Sequence, residues 1–265
     1  MHAHWIDQYR AGSSLVHRLD ARVKLILVIT YILTASLIPV GAWLAYGLLF
    51  ALAVAATLAS RLGLLWVQRR ALIALPFALA AVTVVFSTQG PVLFTLPLGP
   101  WRLQATEPGV VRFLSIVLKS WLSVQMAVLL AATTPFPDLV GAMRSLRFPR
   151  ILVAIISFMW RYIFVLVDEA MRLSRARDAR SAVQPGRKSG GSILWRAKVV
   201  GGMAGNLFIR SYSRSERIYQ AMEARGYQGE LRTLASPHLH TYDVRIGVAV
   251  MLYLVVVLTV GVVLW

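Results

Sequence analysis

Arg180 and Arg225 are the side chains in this 265-residue chain whose type and setting best suit recognition chemistry. Each sits among small neighbours, in the triplets Ala179-Arg180-Ser181 and Ala224-Arg225-Gly226, 45 positions apart. Each triplet closes a stretch that reads as a helix. A guanidinium is a rigid fork of donors that grips carboxylates and carbonyls, and small flanking residues let a partner's backbone come close. Arginine near a helix C-terminus is also favoured by the macrodipole, and Gly226 can take the left-handed conformation that ends a helix. The chemistry expected is therefore binding by charge-assisted hydrogen bonds at two helix tips. A rival register, Ala176-Arg177-Asp178, has a larger acidic third residue and lies a turn further from the Gln184-Pro185-Gly186 stop signal.

Other chemistries find little to work with. The chain has no cysteine, which removes disulfides, thiolate metal sites and cysteine nucleophiles. It carries no GxxxxGK[ST] phosphate-binding loop, so energy from nucleotide hydrolysis must come from a partner. His2 with His4, and His238 with His240, offer imidazoles but not the three or four convergent ligands of a tight site. No metal is expected on this chain. Asp168 and Glu169 are adjacent acids, but Arg161 and Arg172 are spaced to neutralise them, which weighs against an intramembrane lipid-modifying enzyme. No catalytic residue is expected.

The elements that must position the two arginines belong to a membrane protein. The sequence is 58% hydrophobic and 15% charged, with a mean hydropathy of +0.66, well above a soluble domain. A net charge of +17 does not indicate nucleic acid, because the charge lies between apolar spans and not on a soluble basic face. Five stretches are long enough to cross a bilayer, some with help from snorkelling flanks: Val23 to Ile38, Ala42 to Ala59, Ala71 to Phe86, Gly109 to Thr133 and Val244 to Trp265. The leader before Val23 carries Asp7 and Asp20 as well as basic residues, which fits a retained first span better than a cleaved signal peptide. Pro39-Val40-Gly41 marks a tight turn between the first two spans. Trp43 and Trp66 are expected near opposite interfaces of one helix, and 87–108 reads as an almost uncharged Gly/Pro-rich loop. Lys119, inside the fourth span, either snorkels or faces a bundle partner.

Basic residues set the orientation, because cytoplasmic loops hold the excess of Lys and Arg. Arg18, Arg22 and Lys24 precede the first span, and Arg61, Arg69 and Arg70 follow the second, whereas 87–108 holds only Arg102 and Glu107. The N-terminus is expected in the cytoplasm, together with residues 135–243, which hold 17 Lys/Arg against 8 Asp/Glu. That segment reads as three helices. A short amphipathic one runs from Pro137 to Arg147, a second from about Arg150 to Ser181, and a third from about Ser192 to Arg225. The second is apolar over Ile151 to Val167 except at Ser157 and Arg161. Oblique entry into the bundle is the preferred reading, and a sixth span is the alternative. The third carries Gly201 and Gly205, a small-xxx-small pair suited to close helix approach, and an interface stripe that includes Phe208, Tyr212, Ser215, Tyr219 and Met222. Arg210, Arg214 and Arg217 line a neighbouring face, either solvated or against lipid headgroups.

The order and spacing of several fragments carry a resemblance. They are His17-Arg18-Leu19-Asp20-Ala21-Arg22-Val23-Lys24, Thr134-Pro135-Phe136-Pro137, Arg161-Tyr162 followed by Asp168-Glu169-Ala170, and Ala221-Met222-Glu223-Ala224-Arg225-Gly226-Tyr227. From about residue 10 to the last span, the chain resembles the transmembrane T component of energy-coupling factor transporters, most closely the cobalt/nickel, CbiQ-like branch. The resemblance implies an all-α inner-membrane bundle of about five helices: residues 1–134 with the first four, a cytoplasmic coupling module at 135–243, and the last helix at 244–265. It implies two cytoplasmic ATPase subunits, which use ATP and magnesium, and a metal-specific substrate-binding membrane subunit. The family's two Ala-Arg-Gly motifs, each docking one ATPase, correspond here to Ala179, Arg180 and Ser181 and to Ala224, Arg225 and Gly226, with serine replacing the first glycine. Cobalt or nickel is the expected cargo, and service to a vitamin-binding subunit is the alternative.

Overall fold

The computed structural model describes residues 8–98, 101–180, 192–229 and 239–265. Helices dominate. A short turn, α1 (Leu15–Arg18), precedes α2 (Ala21–Leu37), whose start is fixed by Asp20 accepting from the Arg22 N–H at 2.8 Å. After the Pro39-Val40-Gly41 turn comes α3 (Trp43–Ser60). Gly41 has φ +92° and its N–H donates to Ser115 Oγ at 3.1 Å; a Cβ there would meet the Trp265 indole at 2.8 Å. Only glycine meets both demands.

The third apolar stretch is broken. Arg61 and Gly63 both adopt left-handed φ and end α3, so Trp66 lies on a separate helix, α4 (Leu64–Ala71), and not on the helix of Trp43. A 3-10 turn (Leu72–Ala74) leads to α5 (Leu75–Ser87), which carries Pro76 in its first turn. At 1.5 Å per residue, the 13 residues of α5 reach roughly 20 Å, short of a hydrocarbon core, so any crossing must include the preceding turns. The stretch expected as a loop contains a β-hairpin, β1 (Val92–Leu98) against β2 (Trp101–Thr106), paired antiparallel with Leu98 opposite Trp101. Extended β-branched and aromatic residues on both sides of Gly99-Pro100 favour that pairing. The all-α bundle therefore carries one two-stranded exception.

Thr106 caps α6 (Glu107–Thr133) by accepting from Gly109 N–H. Then follow α7 (Phe136–Ser145), α8 (Arg150–Arg180), α9 (Ile193–Glu223) and α10 (Thr241–Val263). By length and composition α3, α6, α8 and α10 can each cross a membrane, and α2, at 17 residues, comes close. Two compact units result. One comprises Gln8–Ala142 with Ser236–Trp265, and the other includes Met143–Ala235.

The core of the first unit lies among α2, α3, α6 and α10, around Tyr31, Leu49, Leu122, Leu129, Leu254 and Val257. In lipid there is no hydrophobic drive between helices, so close packing and internal polar satisfaction decide the assembly. Ala35, Ala45 and Ala53 are buried, and a Cβ on Gly261 would sit 3.3 Å from the Ala45 methyl. Tyr31 and Tyr253 donate their hydroxyls across helices to the Leu49 and Leu48 carbonyls, each at 3.0 Å. Lys119 faces the bundle: its ammonium donates to the Ser36 and Ile38 carbonyls at the end of α2, which an isolated helix would leave unpaired. Lys24 does the same for α6, donating to Thr133 O at 3.1 Å, while Arg10 N–H reaches Ala132 O at 2.9 Å. The Arg10 guanidinium also lies 4.1 Å above the Trp66 ring, which Arg70 approaches at 4.5 Å. The leader thereby braces the end of α6, where α7 begins.

Candidate coupling surface

The second unit holds the predicted tips. α8 is helical through Arg180, so Ala179 and Arg180 form its exposed last residues, with Arg177 in the same turn. Ser181 lies outside the described residues, as does the Gln184-Pro185-Gly186 stop signal. The end of α9 is closed by a specific backbone device. Tyr227 N–H donates to Met222 O at 3.0 Å and Gly226 N–H to Glu223 O at 2.9 Å, with Gly226 at φ +76°. These are the two bonds of a Schellman closure, which needs a residue in the left-handed region just past the helix. Glycine is there because of that φ and not for space, since a Cβ would touch nothing within 4 Å. Ala224 and Arg225 are left exposed on the last turn.

α8 and α9 cross where Arg210 Nη1 donates to Glu169 Oε1 at 2.8 Å. On one side of that point the first half of α8 runs beside the last half of α9. Between them lies an apolar groove of about 710 Å³, lined by Phe158, Tyr162 and Leu166 of α8 and Tyr212, Tyr219 and Met222 of α9. The helices therefore run in opposing directions, and Arg180 and Arg225 lie on opposite sides of the crossing. At 1.5 Å per residue they stand at most about 39 Å apart. A hydrogen bond to Glu223 raises the Tyr219 phenol pKa above its ordinary value, since the carboxylate favours the protonated hydroxyl.

The predicted packing residues fall into two groups. Tyr212, Tyr219 and Met222 line the groove, yet the two tyrosines remain more than half exposed. Gly201 and Gly205 have open space above them, so the close helix approach they permit is made by no segment among the described residues. No residue of α9 is buried. Apolar side chains of this 31-residue helix, Phe208 and Ile209 among them, are left largely uncovered by the described residues.

Sequence reasoning missed the Glu169 to Arg210 contact. It set Arg161 and Arg172 against the Asp168-Glu169 pair, and Arg172 does lie 3.8 Å from Glu169, but it read Arg210 as one of a solvated or headgroup-facing row. The partners are 41 residues apart, on different helices, so no local spacing connects them. Among the described residues no three His, Cys, Asp or Glu side chains gather as metal ligands. His240 caps α10 in a box with Asp243, and His2, His4 and His238 lie outside the described residues.

Arg180 and Arg225 thus stand exposed near the ends of two helices that the Glu169 to Arg210 contact joins. The family model described as CbiQ, cobalt transport protein, matches residues 12–235. The chain belongs to the CbiQ family. Among its relatives is the energy-coupling factor transporter transmembrane protein EcfT of Brevibacillus brevis, 29% identical over 97% of this chain and 96% of its own. The EcfT protein of Lactococcus lactis is 28% identical over 84% of each chain. The cobalt transport protein CbiQ of Salmonella typhimurium is 27% identical over 59% of this chain and 69% of its own. This CbiQ-family chain is a T component of an energy-coupling factor transporter, a membrane transport subunit. Both arginine triplets fall within the matched span.

Proposed function

We propose that this chain couples ATP hydrolysis by two cytoplasmic ATPase subunits to uptake of cobalt or nickel by a substrate-binding membrane subunit. It acts as scaffold and lever and carries no catalytic residue. ATP and magnesium belong to the ATPase subunits, and cargo capture to the membrane subunit. The observation that carries this reading is the pair of opposed helix tips: Arg180 ends α8, and Arg225 sits exposed on an α9 end held by the Gly226 closure. Two tips on opposite sides of one crossing can follow two subunits as they close and part, one subunit at each triplet. The half-open groove bearing Tyr212, Tyr219 and Met222, and the uncovered glycines Gly201 and Gly205, suit the membrane subunit. The basic residues flanking the first spans support a cytoplasmic N-terminus, and the bacterial relatives an inner-membrane setting.

Each charge-assisted hydrogen bond at a tip is worth about 1.5 to 3 kcal/mol. The test is co-purification followed by transport. Two nucleotide-binding subunits and one membrane subunit should accompany the chain, and Arg180→Glu with Arg225→Glu should abolish ATP-driven uptake while the protein stays folded in the membrane. Unimpaired uptake with both arginines reversed overturns the lever reading. A second cargo reading is supported by the EcfT relatives, which align over more of this chain than the CbiQ relatives do. In that case the partner binds a vitamin, and a transport assay of cobalt, nickel and vitamins against one another decides.

A further inference from the structure

Glu169 is a buried carboxylate on a helix that is otherwise largely open. Only 8% of it is exposed, and the other buried residues of α8 are Val153 and Ala154, far along the helix. Its two oxygens face two cations. Oε1 accepts from Arg210 of α9 at 2.8 Å, and Oε2 lies 3.8 Å from Arg172 of α8 itself. On one side of this contact the helices enclose the apolar groove, and on the other α8 continues to Arg180. No side chain of α9 is fully buried, so α9 meets α8 through half-buried side chains and the Arg210 contact.

We propose that the Glu169 to Arg210 pair is the pivot of the lever, the positioning contact that keeps α8 and α9 together while their tips are displaced. This rests on the coupling reading above. A charge-assisted bond between two flexible side chains resists separation of the helices but tolerates a change of angle, which close-packed side chains do not. Glu169 also lies between the groove and the α8 tip, so a change of angle there moves both. Without the pair, motion of one arginine tip would be lost as slippage between the helices.

The chain has no cysteine, so introduced cysteines are unique attachment sites. Spin labels on Ser174→Cys and Gln220→Cys, both on exposed helix positions, report the α8 to α9 separation by pulsed electron resonance in the full chain in nanodiscs. The unaltered pair should give one narrow distance distribution, broadened by Glu169→Gln and by Arg210→Met. Exchanging the charges, as Glu169→Arg with Arg210→Glu, should narrow it again, with Arg172→Gln added to spare the new arginine a like-charged neighbour. In the assembled transporter the single variants should lower uptake per ATP hydrolysed by about tenfold, the loss expected of one charged hydrogen bond, and the exchanged variant should recover it. A merely structural role predicts lost assembly, with no change in that ratio. Unchanged distances in both single variants, or an unchanged uptake per ATP, overturn the pivot. If the unaltered chain captures no ATPase subunit, the coupling reading itself fails, while the distance measurement still decides whether the pair holds the crossing.

Discussion

Gly226 and Arg225 show how one backbone conformation prepares a recognition residue. The closure of α9 places Gly226 at φ +76°, a region that costs other L-residues about 1 to 2 kcal/mol. Gly226→Ala should therefore fray the tip and weaken ATPase binding by roughly tenfold, with Gly226→Asn milder because asparagine tolerates the left-handed region. Affinity of the purified chain for the ATPase subunits checks this, and equal affinity of both variants and the unaltered chain contradicts it. Gln125 poses the opposite problem. It is fully buried in α6, and neither amide atom has a partner among the described residues. A buried unpaired polar group costs about 1 to 3 kcal/mol, so Gln125→Leu should raise the melting temperature in detergent. A lower melting temperature would show that the amide is satisfied by water or by a partner subunit.

Helices in this protein are held as much by their ends as by their faces. α2 ends against the Lys119 ammonium, α6 against Lys24 and the Arg10 N–H, and α10 begins in a His240–Asp243 box. Terminal carbonyls lack helical partners, and inside a bilayer water cannot replace them. Lys119→Met should thus cost about 1.5 to 3 kcal/mol, visible as a lower melting temperature and earlier proteolysis near Pro39, whereas Lys119→Arg should recover most of it. α8 and α9 follow a different rule. Their sequence periodicity was legible, and their observed bounds lie within two residues of the expected ones at each end. The hairpin at Val92–Thr106 was not, because proline and glycine punctuation reads as loop until strand partners are known. The break between α3 and α4 was missed for a similar reason. The run from Ala42 to Trp66 is apolar enough to read as one helix, and the left-handed turn at Arg61 and Gly63 leaves only a glycine as its signal.

At the scale of the whole molecule, the two arginine tips gain meaning from each other. If one subunit grips each tip, reversal at either Arg180 or Arg225 alone should abolish most transport, and the double reversal should add little, because a lever released at one end transmits nothing. Measured uptake that falls by half for each single reversal would instead mean independent contacts. The sequence by itself determined that this is a membrane protein, that a basic helical segment lies between its spans, and that arginine motifs stand near two helix ends. Hydropathy, charge and stop signals are local, and they survive in a linear reading. The tertiary structure alone decided that Lys119 closes α2, that the tips lie on opposite sides of a crossing, and that Glu169 meets Arg210 there. Those contacts join residues from 41 to more than 80 positions apart, and only the path of the backbone brings such groups within hydrogen-bond range.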